Sequence, residues 1–500
     1  MILSGLKGKT VLLVSMAIFS VVFCVTSSHA AGSSESILAT PAQPSIEPVP
    51  PVTQKKPAGV APIEASQKLD DILYYTYLHN PSLRAARAEM KAVQERLPQA
   101  LAGWRPSLDA SGNVTKSEID GSSFGPGADG TTSKSAQLGF SQPLYRGGRT
   151  VSSTDSAYNI IDAQRSLLDN REQQTMVDVT TAYMDVFRDL SIEELNQNNR
   201  SVINKQLTAT QDRFDVGEVT RTDVSQSKAR LAAADADLIS AQGNLQKSRA
   251  VYEQITGLKP AQVGIPALVL NVPATLSEAL SLADDKNPEI KASISLNRAA
   301  EYDIDTIFGE LMPELAFFGL WNKEYDPQPG VVDQTTTKSI GLSANMKLYA
   351  GGATRSRVRQ AKYTANQRYL EILDARRRIR QEVVSNWETL ASAQAEIKSR
   401  ESQVEAARLA RDGVHQEAEL GSRTILDALD ADQEYLDAQT ALVSAQRNEI
   451  VAKFSLMASI GLLTPDALGF PGRAEDFDQH LKEIKHKYLG MDAKIDRAGP

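Results

Sequence analysis

The sequence repeats itself at a nearly fixed offset, and this duplication constrains the fold more than any other feature. Four short motifs recur in the same order after 204 to 207 residues. The pairs are Asn80-Pro81 with Asn287-Pro288, Tyr145-Arg146-Gly147-Gly148 with Tyr349-Ala350-Gly351-Gly352, Gly217 and Asp223 with Gly421 and Asp427, and Thr256-Gly257 with Ile460-Gly461. The repeat predicts one structural module present twice, at 66–262 and 273–464.

The N-terminal residues 1–30 have the pattern of a secretory signal peptide. Lys7 and Lys9 precede an apolar run, and Ser28-His29-Ala30 fits a cleavage site. The one cysteine, Cys24, would leave with this segment, and the large Phe23 before it argues against acylation. Residues 31–65 are rich in proline and predict a disordered or extended lead.

Composition and motifs argue against several classes of protein. The formal net charge of −8 is not that of a nucleic-acid-binding protein. The four remaining histidines, His79, His415, His480 and His486, lack metal-ligand spacing, and no phosphate loop or nucleophile elbow is visible. We therefore predict no catalytic residue, metal or cofactor, and we expect His480 and His486 to be solvated in a polar tail at 465–500.

Within each module, hydrophobic periodicity predicts a helix, a strand hairpin and further helices. One helix should run from Pro81 to about Ala102. Strands are predicted at Ser107–Thr115, Ser135–Leu144, Glu314–Asn322 and Ser339–Leu348, with a loop at Gly121–Gly130. No later stretch approaches the ~20 apolar residues of a membrane helix, so a membrane crossing would need strands.

Two very long helices follow the glycine pairs. They are predicted at Thr150–Arg213 and Thr354–Glu417, roughly 64 residues or ~96 Å each, and shorter helices at Thr222–Ile255 and Thr424–Ser459 follow them. Leucines every seven residues in the shorter helices predict coiled-coil packing. The fold class is therefore mainly α with a small β part. Four strands are too few to close a transmembrane barrel, so several chains would have to contribute.

Short polar segments separate the long helices from the shorter ones. Gly217 and Gly421 fit left-handed helix caps, and Thr424 or Ser422 fits the N-cap of the next helix. Asp427 and Asp430 are three residues apart and should share one helix face. Acids are common at helix starts, so residue types alone favour a capping role for Asp427 and Asp223.

These motifs together resemble the TolC-like outer-membrane exit ducts. The resemblance rests on the two Asn-Pro helix starts, the Leu-Tyr-x-Gly-Gly junctions and the tips VGEVTRTDV and LGSRTILDALDA, and it covers about residues 66–464. It implies a homotrimer whose twelve strands form one open barrel above an α-helical periplasmic tunnel. It also implies an equatorial belt built from the linker at 263–272 and the C-terminal segment. The implied partners are a periplasmic adaptor (membrane fusion protein), an inner-membrane transporter of ABC or RND type and outer-membrane lipid.

The resemblance also implies roles for the tip residues. Arg423 would link to Thr222 and Asp223 of a neighbouring hairpin and close the periplasmic entrance. Asp427 and Asp430 would line the narrowest point and bind cations. Gly217 and Gly421 would offer bare backbone for adaptor docking. The family tyrosine that helps hold the entrance shut is replaced by Ala418.

The implied function is passive export from the periplasm of proteins, by type I secretion, or of small toxic compounds. The unacylated N-terminus and the RTILDALDA tip favour the protein-secretion branch. A periplasmic coiled-coil adaptor without a membrane barrel is the alternative, although it would need a lipoyl-like β domain. A general porin would need more strands per chain.

Overall fold

A computed structural model describes residues 68–117, 131–266, 270–328 and 332–493. The predicted signal peptide, the proline-rich lead and the Gly121–Gly130 loop lie outside these residues. No helix within the described residues is long and apolar enough to cross a membrane.

The first module consists of α1 to α5 with the strands β1 and β2. Their bounds are α1 Leu69–His79, α2 Pro81–Gln94, α3 Arg96–Leu101, β1 Ser107–Ser117, β2 Thr131–Arg146, α4 Arg149–Asp215 and α5 Arg221–Thr256. A short 3₁₀ turn, Ala102–Trp104, connects α3 to β1.

The second module has the same order of elements. Its bounds are α6 Leu276–Lys286, α7 Pro288–Phe308, β3 Glu314–Gln328, β4 Val332–Asn345, α8 Ala353–Glu419 and α9 Ile425–Ile460, and α10 Phe477–Lys485 follows near the C-terminus. The long helices α4 and α8 have 67 residues each, and α5 and α9 have 36 each. The predicted duplication and fold class are confirmed.

Several predicted bounds differ from the structure; β3, for example, extends to Gln328 and β4 begins at Val332, instead of Asn322 and Ser339. The helix from Pro81 does not run unbroken to Ala102, because it divides at Glu95 into α2 and α3. Pro98 lacks an N–H group and its ring clashes with the carbonyl four residues earlier, at Gln94. The strand predicted to reach Leu348 ends at Asn345, which pairs with Glu314, the first residue of β3.

The four strands form one antiparallel sheet in the order β1-β2-β3-β4. Leu108 pairs with Phe140, Phe140 with Gly319, and Gly319 with Ile340, which aligns one row across the sheet. The register between β2 and β3 shifts after Pro143, where a proline cannot donate to the ladder. The sheet begins where the helices end and extends the molecule at that end.

A hydrophobic core lies at mid-height, where both modules meet. Tyr77 of α1, Met176 of α4, Tyr252 of α5 and Met457 of α9 are almost fully buried there. The residues that the structure describes form one compact unit around this core.

Asn80 and Asn287 join the shorter helices end to end. The Asn80 side chain accepts hydrogen bonds from the N–H groups of Ser82 (2.8 Å) and Leu83 (3.1 Å), and its amide donates to the carbonyl of Ile255 (2.8 Å). Asn287 makes the same set of bonds, and its amide donates to the carbonyl of Ser459 at 2.8 Å. Each asparagine therefore caps the helix after it and holds the last turn of α5 or α9 against that helix start.

The C-terminal segment packs against the first module. Phe470 lies 5.3 Å from the ring of Tyr74 and 5.6 Å from that of Tyr77, measured between ring centroids. The Nδ1 atom of His480 is 2.7 Å from Oε1 of Gln94 on α2. The prediction of a solvated His480 was therefore wrong, because α10 lies on α2 and α3 rather than in a free tail.

Candidate site at the helical tips

The two tips, which we define as residues 213–230 and 411–432, turn the chain with the same backbone hydrogen bonds. In the first tip, the N–H of Glu218 donates to the carbonyl of Arg213 at 2.9 Å, and the N–H of Gly217 donates to that of Phe214 at 3.0 Å. In the second tip, the matching distances are 2.9 and 3.2 Å. This is the Schellman pattern, which needs a left-handed residue after the helix. Gly217 and Gly421 supply it with φ values of 84° and 78°.

A capping box begins the helix after each turn. Thr220 accepts a hydrogen bond from the N–H of Asp223, and the Asp223 carboxylate accepts one from the N–H of Thr220 at 2.8 Å. Thr424 and Asp427 repeat both bonds, at 3.2 and 3.0 Å. Of the two predicted N-caps, Thr424 is the one used, and the hydroxyl of Ser422 instead donates to the carbonyl of Glu417.

The Asp427 carboxylate has one oxygen committed to the cap and one available. Its Oδ2 accepts from both the N–H and the hydroxyl of Thr424, and Oδ1 makes no hydrogen bond within the described chain. The backbone and hydroxyl donors of Thr424, together with the charge of Arg423, hold the pKa of Asp427 below its usual value. The ionised form of this carboxylate is therefore favoured in the folded chain.

Asp430 forms an ion pair with Arg230, which lies on α5 in the other module. Both side chains are exposed to solvent, so this contact joins the two tips at the surface. Asp427 and Asp430 lie on the same side of α9, as predicted from their spacing. Only Asp430 reaches the neighbouring tip.

Arg423 does not contact Thr222 or Asp223 within the chain. Its Nε donates to Oε2 of Glu417 at 3.0 Å, and both side chains are about half exposed. Asp223 is committed to its capping box, and Thr222 is exposed. A link from Arg423 to another copy of the chain stays a prediction.

Three contacts at the second tip involve residues that the sequence reasoning did not assign. Two have just been described, the pair of Arg230 with Asp430 and the pair of Glu417 with Arg423. In the third contact, Nε2 of His415 and Oδ1 of Asp432 are 3.0 Å apart. Asp432 is only 7% exposed, and its Oδ2 has no hydrogen-bond partner. The sequence carried only a weak signal for this pairing, since His415 and Asp432 lie within about three turns of the same hairpin turn on consecutive helices.

The tips concentrate charge and hold no metal centre. Among the described residues, no three histidine, cysteine or acidic side chains are grouped to hold a metal ion. The arrangement acts electrostatically, with exposed carboxylates and arginines on a rigid turn at the end of two long helices.

Comparison with known proteins identifies the family. A family model described as outer membrane efflux protein matches residues 73–258 and 279–462, one match for each module. The chain is 31% identical to the outer membrane efflux protein BepC of Brucella suis, over 85% of this chain and 92% of that protein. It is 25% identical to the outer membrane protein TolC of Escherichia coli, over 82% and 85%. The chain belongs to the outer membrane efflux protein family.

Solved structures share the fold. VceC of Vibrio cholerae matches with a TM-score of 0.68 and 20% identity, covering 79% of this chain and 96% of that one. The CmeC channel of Campylobacter jejuni matches with a TM-score of 0.70 and 14% identity, covering 84% and 89%. Because the chain belongs to the outer membrane efflux protein family, it is an outer-membrane export channel, and the adaptor alternative is set aside.

Proposed function

We propose that three copies of this chain form a passive conduit that an adaptor and an inner-membrane transporter load from the periplasm. The observation that carries the proposal is a four-stranded sheet whose outer strands, β1 and β4, have no further partner strand in the described chain. An unpaired edge is a template for another strand. Three copies supply twelve strands, which suffice for a closed barrel in the outer membrane.

The exposed side of α8 supports assembly through the helices as well. Tyr363 is 75% exposed in the single chain, and Leu370 and Leu409 are 54% and 58% exposed. Apolar side chains spaced along one long helix are typical of a surface that another subunit covers. In the trimer, α8 of one copy would meet α5 of the next.

The absence of a nucleotide motif from the sequence motivates the passive role. Energy would come from an inner-membrane transporter of ABC or RND type, and contact would come from a periplasmic adaptor that docks at the tips near Gly217 and Gly421. The space around both glycines is open, because no heavy atom lies within 4 Å of the point where a Cβ atom would stand. A partner's backbone can therefore approach closely.

The second tip would form the entrance. Threefold symmetry would place Asp427 and Asp430 of each copy in two rings around the axis. Like charges at short distance disfavour full ionisation, and a bound cation relieves that repulsion. Arg423 would close the entrance by reaching Thr222 and Asp223 of the adjacent copy in place of Glu417.

The cargo that we propose is protein, small toxic compounds or both. Relatives carry both kinds of name: BepC is called an efflux protein, and AprF of Pseudomonas aeruginosa, 24% identical over 78% of this chain, is called an alkaline protease secretion protein. Co-purification of the inner-membrane partner would distinguish an ABC from an RND transporter.

Planar bilayers and gel migration test the conduit directly. Purified protein should conduct ions without nucleotide, and it should migrate as an oligomer on SDS gels unless boiled. Subunits that migrate as monomers at every step and give no conductance would refute the trimeric conduit. Intrinsic ATP hydrolysis by pure protein would refute the passive role.

A further inference from the structure

The alternation of side chains divides the sheet into a polar and an apolar face. Residues in the row Leu108, Phe140, Gly319 and Ile340 share one face with every second residue along their strands. We call this the apolar face. Its large side chains are exposed in the single chain: Leu108, Val114, Leu138, Trp321, Ile340 and Leu342.

Four lysines interrupt the apolar face, one on each strand. Lysines on adjacent strands are diagonal neighbours. Each lies two residues along its own strand from the residue that pairs with the lysine of the adjacent strand. Lys323, for example, is two residues beyond Trp321, the partner of Lys338. Diagonal neighbours in a sheet are about 7–8 Å apart, within reach of long side chains. We call the four the lysine track: Lys338, Lys323, Lys134 and Lys116.

Among the residues that the structure describes, the lysine track has no acidic partner on its own face. Asp109, Glu324 and Asp333 fall on the polar face by alternation, and Asp326 lies in the irregular end of β3. In the part of the chain that the structure describes, none of the four lysines makes an ion pair. Lys323 lies over the ring of Tyr325, with Nζ 4.8 Å from the centroid.

A shallow apolar groove adjoins the track. It has a volume of about 470 Å³, and Lys338 stands beside Leu108, Leu138, Phe140, Trp321 and Ile340 in its lining. An alkyl chain in such a groove would have cationic groups next to one end. The groove and the track together match an amphiphile with an anionic head.

We propose that the lysine track and the groove bind a phosphorylated, acylated glycolipid of the outer leaflet of the outer membrane. The proposal rests on the proposed function. In an outer-membrane barrel of twelve strands, the apolar face of the sheet would face the lipid, and the strand ends far from the helices would lie toward the exterior. The track runs from the middle of β4 to the far end of β1, away from the periplasmic helices.

Physical chemistry favours this occupant over bare hydrocarbon. Lysine on a lipid-facing strand is costly at the membrane midplane and tolerated near the interface, where its ammonium group finds polar partners. Trp321 and Tyr325 are residues typical of that interface. Lysines on residues about 7–8 Å apart place several positive charges in a row, which suits a head group that carries two separate phosphates, whereas phosphatidylglycerol offers one.

The test is lipid binding by the full-length trimer in detergent, measured by native mass spectrometry and by titration. The ligands are bisphosphorylated lipid A, monophosphorylated lipid A and phosphatidylglycerol. The variant Lys134→Gln/Lys323→Gln/Lys338→Gln is compared with Lys205→Gln/Lys362→Gln/Lys398→Gln, which removes the same charge from exposed helix positions outside the tips. Conductance in planar bilayers is recorded for each variant.

Wild type and the helix variant should bind bisphosphorylated lipid A at least about tenfold more tightly than the track variant. They should also prefer it to phosphatidylglycerol. Equal binding by the track variant, or equal affinity of wild type for phosphatidylglycerol, would overturn the proposal. Conductance without lipid selectivity would refute only this inference, whereas lack of conductance in wild type would refute the conduit itself.

Discussion

At the first tip the position that matches Arg423 is Val219, and the positions that match Asp430 and Asp432 are Gln226 and Lys228. The turns themselves have the same hydrogen bonds, the same left-handed glycine and the same capping box. The extra charges are therefore not needed to form the turn. We infer that the duplicated backbone serves folding in both tips, and that the acids and the arginine of the second tip serve the entrance.

The largest expected effect is on ion permeation. Asp427→Asn/Asp430→Asn should abolish cation selectivity and weaken block by a trivalent cation at least about tenfold, because the fixed negative charge is removed. The loss should be clearest in dilute salt, since the Debye length reaches ~30 Å at 0.01 M. Single-channel recording with the cation on the periplasmic side is the measurement.

Asp223→Asn is the matched control, because it changes the same capping position at the first tip. It should leave selectivity nearly unchanged. If Asp427→Asn/Asp430→Asn retained both cation selectivity and block by the trivalent cation, Asp427 would have only its helix-capping role.

The next largest effect is on resting conductance, which reports how tightly the periplasmic entrance closes. Arg423→Ser should raise resting conductance if Arg423 links neighbouring copies, and Val219→Ser at the matching position should not. Glu417→Gln breaks only the pair seen within the chain and should not raise conductance. If Glu417→Gln opened the channel as much as Arg423→Ser, the internal pair would be the closing contact.

A smaller effect, of equal size at the two tips, is expected when the glycine of either turn is replaced. Gly217→Ala and Gly421→Ala force a side chain into the left-handed region, at about 1–2 kcal/mol each. Amide exchange at the altered tip should accelerate roughly 5–30-fold, and the other tip should stay protected. A large difference between the two variants would contradict the equivalence of the turns.

The smallest effect is the pH dependence of the second cap. Because the pKa of Asp427 is lowered from 3.8 in the folded chain, its ionised form stabilises the fold above the unfolded pKa. That contribution is lost as pH falls below about 4 and through the folded pKa. Amide exchange of Thr424 and Asp427 should rise in acid, and Asp427→Asn should remove this pH dependence. Thr424→Ala should reduce it only in part while costing about 1 kcal/mol, because the backbone N–H of residue 424 still donates to the carboxylate. Unchanged pH dependence in Asp427→Asn would assign it to another group.

Much of the fold could be predicted because local chemistry marks the ends of its elements. Thr220, Gly257 and their repeats set the ends of α5 and α9 within about two residues. The break at Pro98 was missed, although a proline in the middle of a helix is a local signal. The unbroken α7 has no such residue.

Contacts between distant side chains could not be predicted in the same way. Arg230 and Asp430 are 200 residues apart and meet only because the tip ends of α5 and α9 come together. The docked α10 was hidden by the charged residues around Phe470 and Phe477, two apolar anchors too widely spaced to show a period. The roles of Arg423, Thr222 and the acid rings remain predictions, because they involve other copies of the chain.

The asparagine joints have a mechanical consequence. At Asn80 and Asn287, two helices meet end to end without a shared backbone, and an amide hydrogen bond together with buried apolar side chains connects them. A load along the axis of α5 or α9 therefore passes to α2 or α7 through side-chain contacts at these two points and not through the covalent chain.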